Sequence, residues 1–116
     1  MKVSFDFDDT ASRKDVQEYI RELKSKGIDV IITTSRHGSN TKFSRLWNDD
    51  LYKVADELGI KNIIFTGGAR KTKALKGKGV RFHLDDSETE LEGMRYGVSV
   101  LDPDWKEKCN KLIQKK

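Results

Sequence analysis

The chain carries one cysteine, one proline and two histidines among 116 residues, and each scarcity removes a class of explanation. A lone Cys109 excludes an internal disulfide and favours a reducing, cytoplasmic setting. On an amphipathic C-terminal helix it is expected to pack as a small apolar residue rather than to react. Two histidines and one thiol do not make the nitrogen and sulfur set that zinc prefers. No apolar run approaches the roughly 18 residues of a membrane span, and no signal-peptide pattern opens the sequence. Internal repeats, linkers and low-complexity segments are lacking too. A single domain over residues 1–116 is therefore expected, large enough for one core.

Charge, by contrast, is plentiful. Asp, Glu, Lys and Arg make up 36% of the chain and the net charge is +4. Five lysines between Lys106 and Lys116, set against Glu107, account for that whole excess. A second basic run, Arg70 to Arg81, holds six Lys/Arg and no acid. Such runs can meet phosphate-rich partners, although more of them are only solvated faces.

The stretch that organises the rest is residues 2–10. Val3, Phe5 and Phe7 alternate as in a half-buried strand, and Asp6, Asp8 and Asp9 are delivered at its end with Thr10. Two ionised carboxylates about 4 Å apart repel by roughly 4 kcal/mol at an effective dielectric near 20. An acidic surface turn explains the stretch equally well in isolation. A second acidic pair later in an alternating chain favours a bound cation.

Ser12 and Asp15 resemble a capping box, so a helix is expected from about Ser12, carrying Val16, Tyr19, Ile20 and Leu23 to a stop at Gly27. Ile28–Thr34 reads as strand two, followed by a loop, Ser35 to Asn40. Phe43, Trp47, Leu51, Val54 and Leu58 mark one face of a second helix ending at Gly59. Asn62–Thr66 reads as strand three, with a turn at Gly67-Gly68 and a short helix over Lys71–Lys76. Val80–Leu84 reads as strand four, running into Asp85-Asp86. Ser87 and Glu90 cap a helix that bears Leu91 and Met94 and ends near Gly97. Val98–Leu101 is strand five, closed by Asp102-Pro103, and a last helix aligns Trp105, Cys109, Leu112 and Ile113.

This alternation predicts an α/β fold: a five-stranded parallel sheet with helices on both faces. Ligands of such sheets sit beyond the carboxyl ends of the strands, where the strand order reverses. Gathered at that edge are Asp6, Asp8, Asp9, Thr34, Ser35, Arg36, Thr66, Asp85 and Asp86, with Lys71, Lys73 and Lys76 close behind. If strands two and four both flank strand one, acidic groups converge beside a hydroxyl and a lysine. Hard oxygen ligands at this density suit Mg²⁺. The chemistry implied is phosphoryl transfer, one aspartate acting as nucleophile and another as acid/base.

These residues carry a resemblance. Asp6-Phe7-Asp8-Asp9-Thr10 is similar to the first motif of the haloacid dehalogenase (HAD) superfamily, Asp-x-Asp-x-Thr after a hydrophobic strand. Thr34-Ser35-Arg36 resembles its second motif, Lys71 or Lys73 its third, and Asp85-Asp86 its fourth. Thr34 to Ser39, His83 to Ser87 and Tyr96-Gly97-Val98 also resemble the phosphatase domain of bacteriophage polynucleotide kinase-phosphatase.

The resemblance implies a three-layer, Rossmann-like domain without a cap, and a Mg²⁺-dependent phosphomonoesterase. By it, Asp6 would form an aspartyl-phosphate, while Asp8 would protonate the leaving oxygen and then activate water. Thr34, or Ser35 if the strand ends one residue later, would bind the phosphoryl group with Lys71 or Lys73 and with Arg36. Asp6, the backbone carbonyl of Asp8 and Asp85 or Asp86 would hold the metal, the other carboxylate acting directly or through water. Phosphorylated nucleic-acid ends and nucleotides are the implied substrates. Three departures stand out: Asp9 replaces the usual Gly, Ala11 stands where a larger apolar residue is common, and a helix from Ser12 leaves no room for the usual flap, so an open site is expected.

Plainer roles are expected for three other residues. Trp47 shares a face with Phe43 and Leu51 and is read as core rather than a base-stacking platform. His83 is read as a satisfied strand histidine lying off the acidic edge, and His37 as a loop residue within reach of substrate. Two other functions remain open: a phospho-acceptor of the receiver type, whose order of acidic and basic elements differs from this one, and a nucleic-acid-binding module using the basic runs.

Overall fold

The computed structural model describes residues 1–38 and 46–114. Its strands are β1 (Lys2–Phe5), β2 (Asp29–Thr34), β3 (Ile63–Phe65), β4 (Val80–Asp85) and β5 (Gly97–Ser99). They form one sheet in the order β3-β2-β1-β4-β5, and every neighbouring pair is parallel. The helices are α1 (Lys14–Ser25), α2 (Asp49–Leu58), α3 (Lys71–Leu75), α4 (Glu88–Leu91) and α5 (Trp105–Gln114). The α/β class and the parallel five-stranded sheet flanked by helices are as the alternation predicts. No helix among the described residues is long and apolar enough to cross a membrane.

Strand alternation divides the sheet into two unequal faces. Val3, Phe5, Val30, Ile32, Phe82, Leu84 and Val98 point into the larger core. There they meet Val16, Tyr19, Ile20 and Leu23 of α1, Leu51, Ala55 and Leu58 of α2, and Trp105 and Cys109 of α5. Burial pushes the Cys109 thiol up to about 12, so it packs and does not react. The opposite face has a smaller apolar cluster, Ile31, Leu75 and Met94, under the short α3 and α4. Beside it the same face buries a polar file, Ser4, Thr33 and His83, all fully inaccessible.

Several boundaries differ from the sequence reading, each for a local reason. Helix α1 begins at Lys14, because the Ser12 hydroxyl accepts from the Asp9 N–H (3.1 Å) instead of capping the helix. Asp15 pairs with Arg13 instead. The helix after Ser87 stops at Leu91, well short of Gly97, since Gly93 turns to φ +76°. Ser87 does accept from Glu90 N–H, but Glu90 Oε2 receives the Lys71 N–H, so the box is half formed.

Trp47 is not core: it is 80% exposed. Asn48, at φ −109° and ψ 18°, interrupts the helical run before α2 and rotates Trp47 off the buried face. The expectations for Phe43, Ser39 and Asn40 and for the last two lysines fall outside the described residues.

Candidate functional site

In the order β3-β2-β1-β4-β5 the chain direction of succession reverses between β1 and β4. That is the switch point at which parallel sheets open a crevice. Phe5 pairs with Leu84 in register, and the Asp6 N–H donates to Leu84 O at 2.9 Å. Asp6 is thereby the first residue past β1 and Asp85 the last of β4, each one step beyond the final β1–β4 pair, with Asp85 still paired to Ser99 of β5. Even-numbered residues of β1 and odd-numbered residues of β4 point to the α3 face, so both carboxylates emerge on one side. Asp6, Asp85 and Asp86 bring one carboxylate oxygen each within 4.8 Å of one another.

Lys71 is buried at the first turn of α3 and sits between two of them. Its Nζ donates to Asp6 Oδ1 and Asp85 Oδ2, each at 2.7 Å. Of the two lysines the sequence left open, Lys71 therefore meets the acidic group, while Lys73 is exposed on the helix surface. The two aspartates differ in their surroundings. Asp85 also accepts from the Ser87 N–H at 3.1 Å and is bonded to His83 Nε2 at 2.8 Å. Burial disfavours its charge, but the His83 and Lys71 bonds outweigh that and hold the carboxyl below its ordinary range. Asp6 has Lys71 and a longer bond from Thr10 Oγ1 at 3.3 Å. Burial, then repulsion from Asp85, pushes its carboxyl up to about 8.

His83 is the satisfied strand histidine that the sequence suggests, with both ring nitrogens bonded, but it does not lie off the acidic edge. It lies two residues before Asp85, hence on the same face of β4, and touches it directly. Burial keeps the imidazole neutral. Because Asp85 is ionised, His83 Nε2 donates to it and Nδ1 accepts from Ser4 Oγ at 2.8 Å, which in turn meets Thr33 Oγ1 at 2.8 Å. A buried file of hydrogen bonds thus fixes Asp85 from below. Period-two alternation was the signal that could have found it.

The remaining candidates lie on the β1 and β2 sides. Thr34 is buried, and its Oγ1 accepts from the Arg36 N–H at 3.2 Å, whereas Ser35 is exposed. The Asp8 side chain turns away from the three carboxylates to pair with Arg36 at 2.7 Å. Any share of Asp8 in a metal site thus falls to its backbone carbonyl. Asp9 takes φ +57° and ψ 15°, a left-handed conformation that glycine adopts freely and Asp tolerates. Thr66 Oγ1, at the end of β3, is buried without a partner among the described residues. His37 is exposed, with its carbonyl accepting from Asn48 Nδ2 at 3.0 Å.

Three carboxylates face one ammonium and a neutral imidazole, so when all are ionised the cluster carries an uncompensated formal charge near −2. A divalent cation fits both that charge and the all-oxygen donor set. The raised Asp6 gives a pH signature. A carboxyl raised in the folded state contributes stability below its unfolded value and loses it as pH rises through the folded one. The metal-free protein is expected to lose melting temperature from about pH 4 to about pH 8, the interval in which folded Asp6 keeps a proton that the unfolded chain has given up, and to level off above it. Excess Mg²⁺ is expected to raise the melting temperature more at pH 9 than at pH 7. Melting curves in EDTA and in Mg²⁺ check both; a Mg²⁺ effect that is flat across this range contradicts the role given to Asp6.

Comparison of the chain with family models, with curated proteins and with solved structures finds no match.

Proposed function

We propose that the protein is a Mg²⁺-dependent phosphomonoesterase of the HAD type, working through an aspartyl-phosphate. The observation that carries this reading is the Asp6–Lys71–Asp85 triad, two carboxylates at the switch point bridged by one ammonium at 2.7 Å to each. Asp6, Asp85 and Asp86 would hold the metal, with the Asp8 carbonyl. Bound Mg²⁺ would offset the negative charge of phosphate and nucleophile as they approach each other.

The chain's own residues supply the rest. Asp6 attacks phosphorus as its bond to the leaving oxygen breaks, and Asp8 gives that oxygen a proton. Water then attacks the aspartyl-phosphate, Asp8 takes the water's proton, and the bond from phosphorus to Asp6 breaks, restoring the carboxylate and freeing phosphate. Lys71 and Thr34 stabilise the transferring oxygens. Asp85, locked by His83, Ser87 and Lys71, stays ionised throughout.

Only eight residues, Asp6 to Arg13, separate β1 from α1. The described residues include no cap, which supports a site open to bulky substrates such as nucleic-acid ends. Exposed Lys73 and Lys76 line a cavity of about 590 Å³ floored by Leu75, Val80 and Tyr96, and extend a basic surface from α3.

The test is phosphate release from a generic aryl phosphate, then from 3′- and 5′-phosphorylated oligonucleotides and mononucleotides. Release that requires Mg²⁺ is expected. Absence of release from every ester, with Mg²⁺ present, removes the proposal.

A further inference from the structure

We propose that Asp50 is a positioning residue that holds Arg36 ready for phosphate, and that Asp8 occupies the phosphate's place on Arg36 until the anion arrives. The identity of the anion rests on the phosphomonoesterase reading; the arrangement itself rests on the hydrogen bonds of one guanidinium. Arg36 Nε donates to Asp8 Oδ2 at 3.0 Å and Nη2 to Asp8 Oδ1 at 2.7 Å. Nη1 donates to Asp50 Oδ1 at 2.7 Å and Nη2 to Asp50 Oδ2 at 3.0 Å. The second Nη1 hydrogen makes a longer 3.5 Å contact with Asn48 Oδ1. A guanidinium has five N–H groups, and here every one is engaged. Arg36 cannot take a phosphate oxygen unless one carboxylate lets go.

The two sides are not equivalent. Asp50 lies in the first turn of α2, a ten-residue helix whose N-terminal end favours a carboxylate. On the same side Asn48 is buried and tied to His37 O, giving that side a fixed base. Asp8 stands in the turn between β1 and α1, outside any helix end. Both carboxylates are open to solvent (52% for Asp8, 62% for Asp50), so the difference between them lies in the helix end and Asn48 behind Asp50. The Phe7 ring lies 4.9 Å beneath the guanidinium and keeps its plane, so a phosphate can replace the Asp8 carboxylate edge for edge. Displacement also frees Asp8 for the proton transfers assigned to it. Binding of the anion and release of the acid/base group become one event.

The test is calorimetric titration of inorganic phosphate, with Mg²⁺ present, into wild type, Asp8→Asn, Asp50→Asn and Asp50→Ala. Both Asn variants remove one negative charge near the anion, so charge alone predicts tighter phosphate binding for both. The placeholder arrangement predicts opposite signs: Asp8→Asn binds about three- to fivefold tighter and both Asp50 variants about three- to fivefold weaker. In turnover, Asp50→Asn is expected to raise KM by a similar factor with kcat within about twofold, a split that a folding defect does not produce. Shifts of the same sign for Asp8→Asn and Asp50→Asn overturn the proposal, as does an absence of phosphate binding by wild type. Phosphate binding with opposite shifts but no ester hydrolysis leaves it standing and sinks the phosphomonoesterase reading instead.

Discussion

Replacing Lys71 with Met will lower the stability of the metal-free protein by about 3–5 kcal/mol at neutral pH, although the aliphatic stem is kept. Lys71 Nζ is the shared partner of Asp6 and Asp85, and all three side chains are at least nine-tenths inaccessible. Removing one partner of a buried ionic group leaves the others uncompensated, which costs about that much. The melting temperature is expected to fall by about 12–20 °C. Two further changes separate this cause from lost packing. Acidification should recover part of the loss, since Asp85, no longer held low by Lys71, can then be neutral as Asp6 already is, and Mg²⁺ should recover part by replacing the missing charge. A loss under about 1 kcal/mol, insensitive to both, contradicts a buried triad.

Asp6→Asn is expected to reduce aryl phosphate hydrolysis by about a thousandfold or more, because an amide cannot form the covalent intermediate. The same substitution should leave the metal-free fold at least as stable as wild type. Asp6 is the carboxyl pushed up to about 8 by burial and by Asp85, so near neutral pH an amide replaces a group that is already mostly uncharged, and at higher pH it removes a repulsion. Lys71 can still donate to the amide oxygen. Activity and stability thus move independently, and circular dichroism melts beside the assay check this. Equal rates for the two proteins remove Asp6 from the chemistry.

The parts of the structure legible in the sequence are those set by periodicity. Val16, Tyr19, Ile20 and Leu23 are buried in α1, and Val3 and Phe5 in β1, as their spacing predicts. The convergence of Asp6 and Asp85 followed from one rule about parallel sheets, given that β2 and β4 both flank β1. What was not legible depended on single side chains choosing between partners. Ser12 bonds back to Asp9 instead of capping α1, and Asn48 breaks the helical run so that Trp47 faces solvent. Both are local competitions between a polar side chain and the helix backbone, which pattern alone does not decide.

The same holds inside the site. A lysine among Lys71, Lys73 and Lys76 was readable, but only the start of α3 settles which one reaches inward. Only the resemblance offered Arg36 as an anion ligand, and in the structure its donors go to Asp8 and Asp50. Asp50 lies fourteen residues further along the chain, on another element. Nothing in its neighbourhood of the sequence marks it.

In the proposed reaction the atom that bonds to phosphorus is a carboxylate oxygen of Asp6. The direct measurement is acid quench of the Mg²⁺-loaded protein during turnover of an aryl phosphate, borohydride reduction, and fragmentation of the peptide that spans residues 3–13. An acyl phosphate on Asp6 is reduced to homoserine at position 6, and that product should be found there and be missing from Asp6→Asn. Turnover that leaves position 6 unmodified, or a label that falls on another residue, contradicts it.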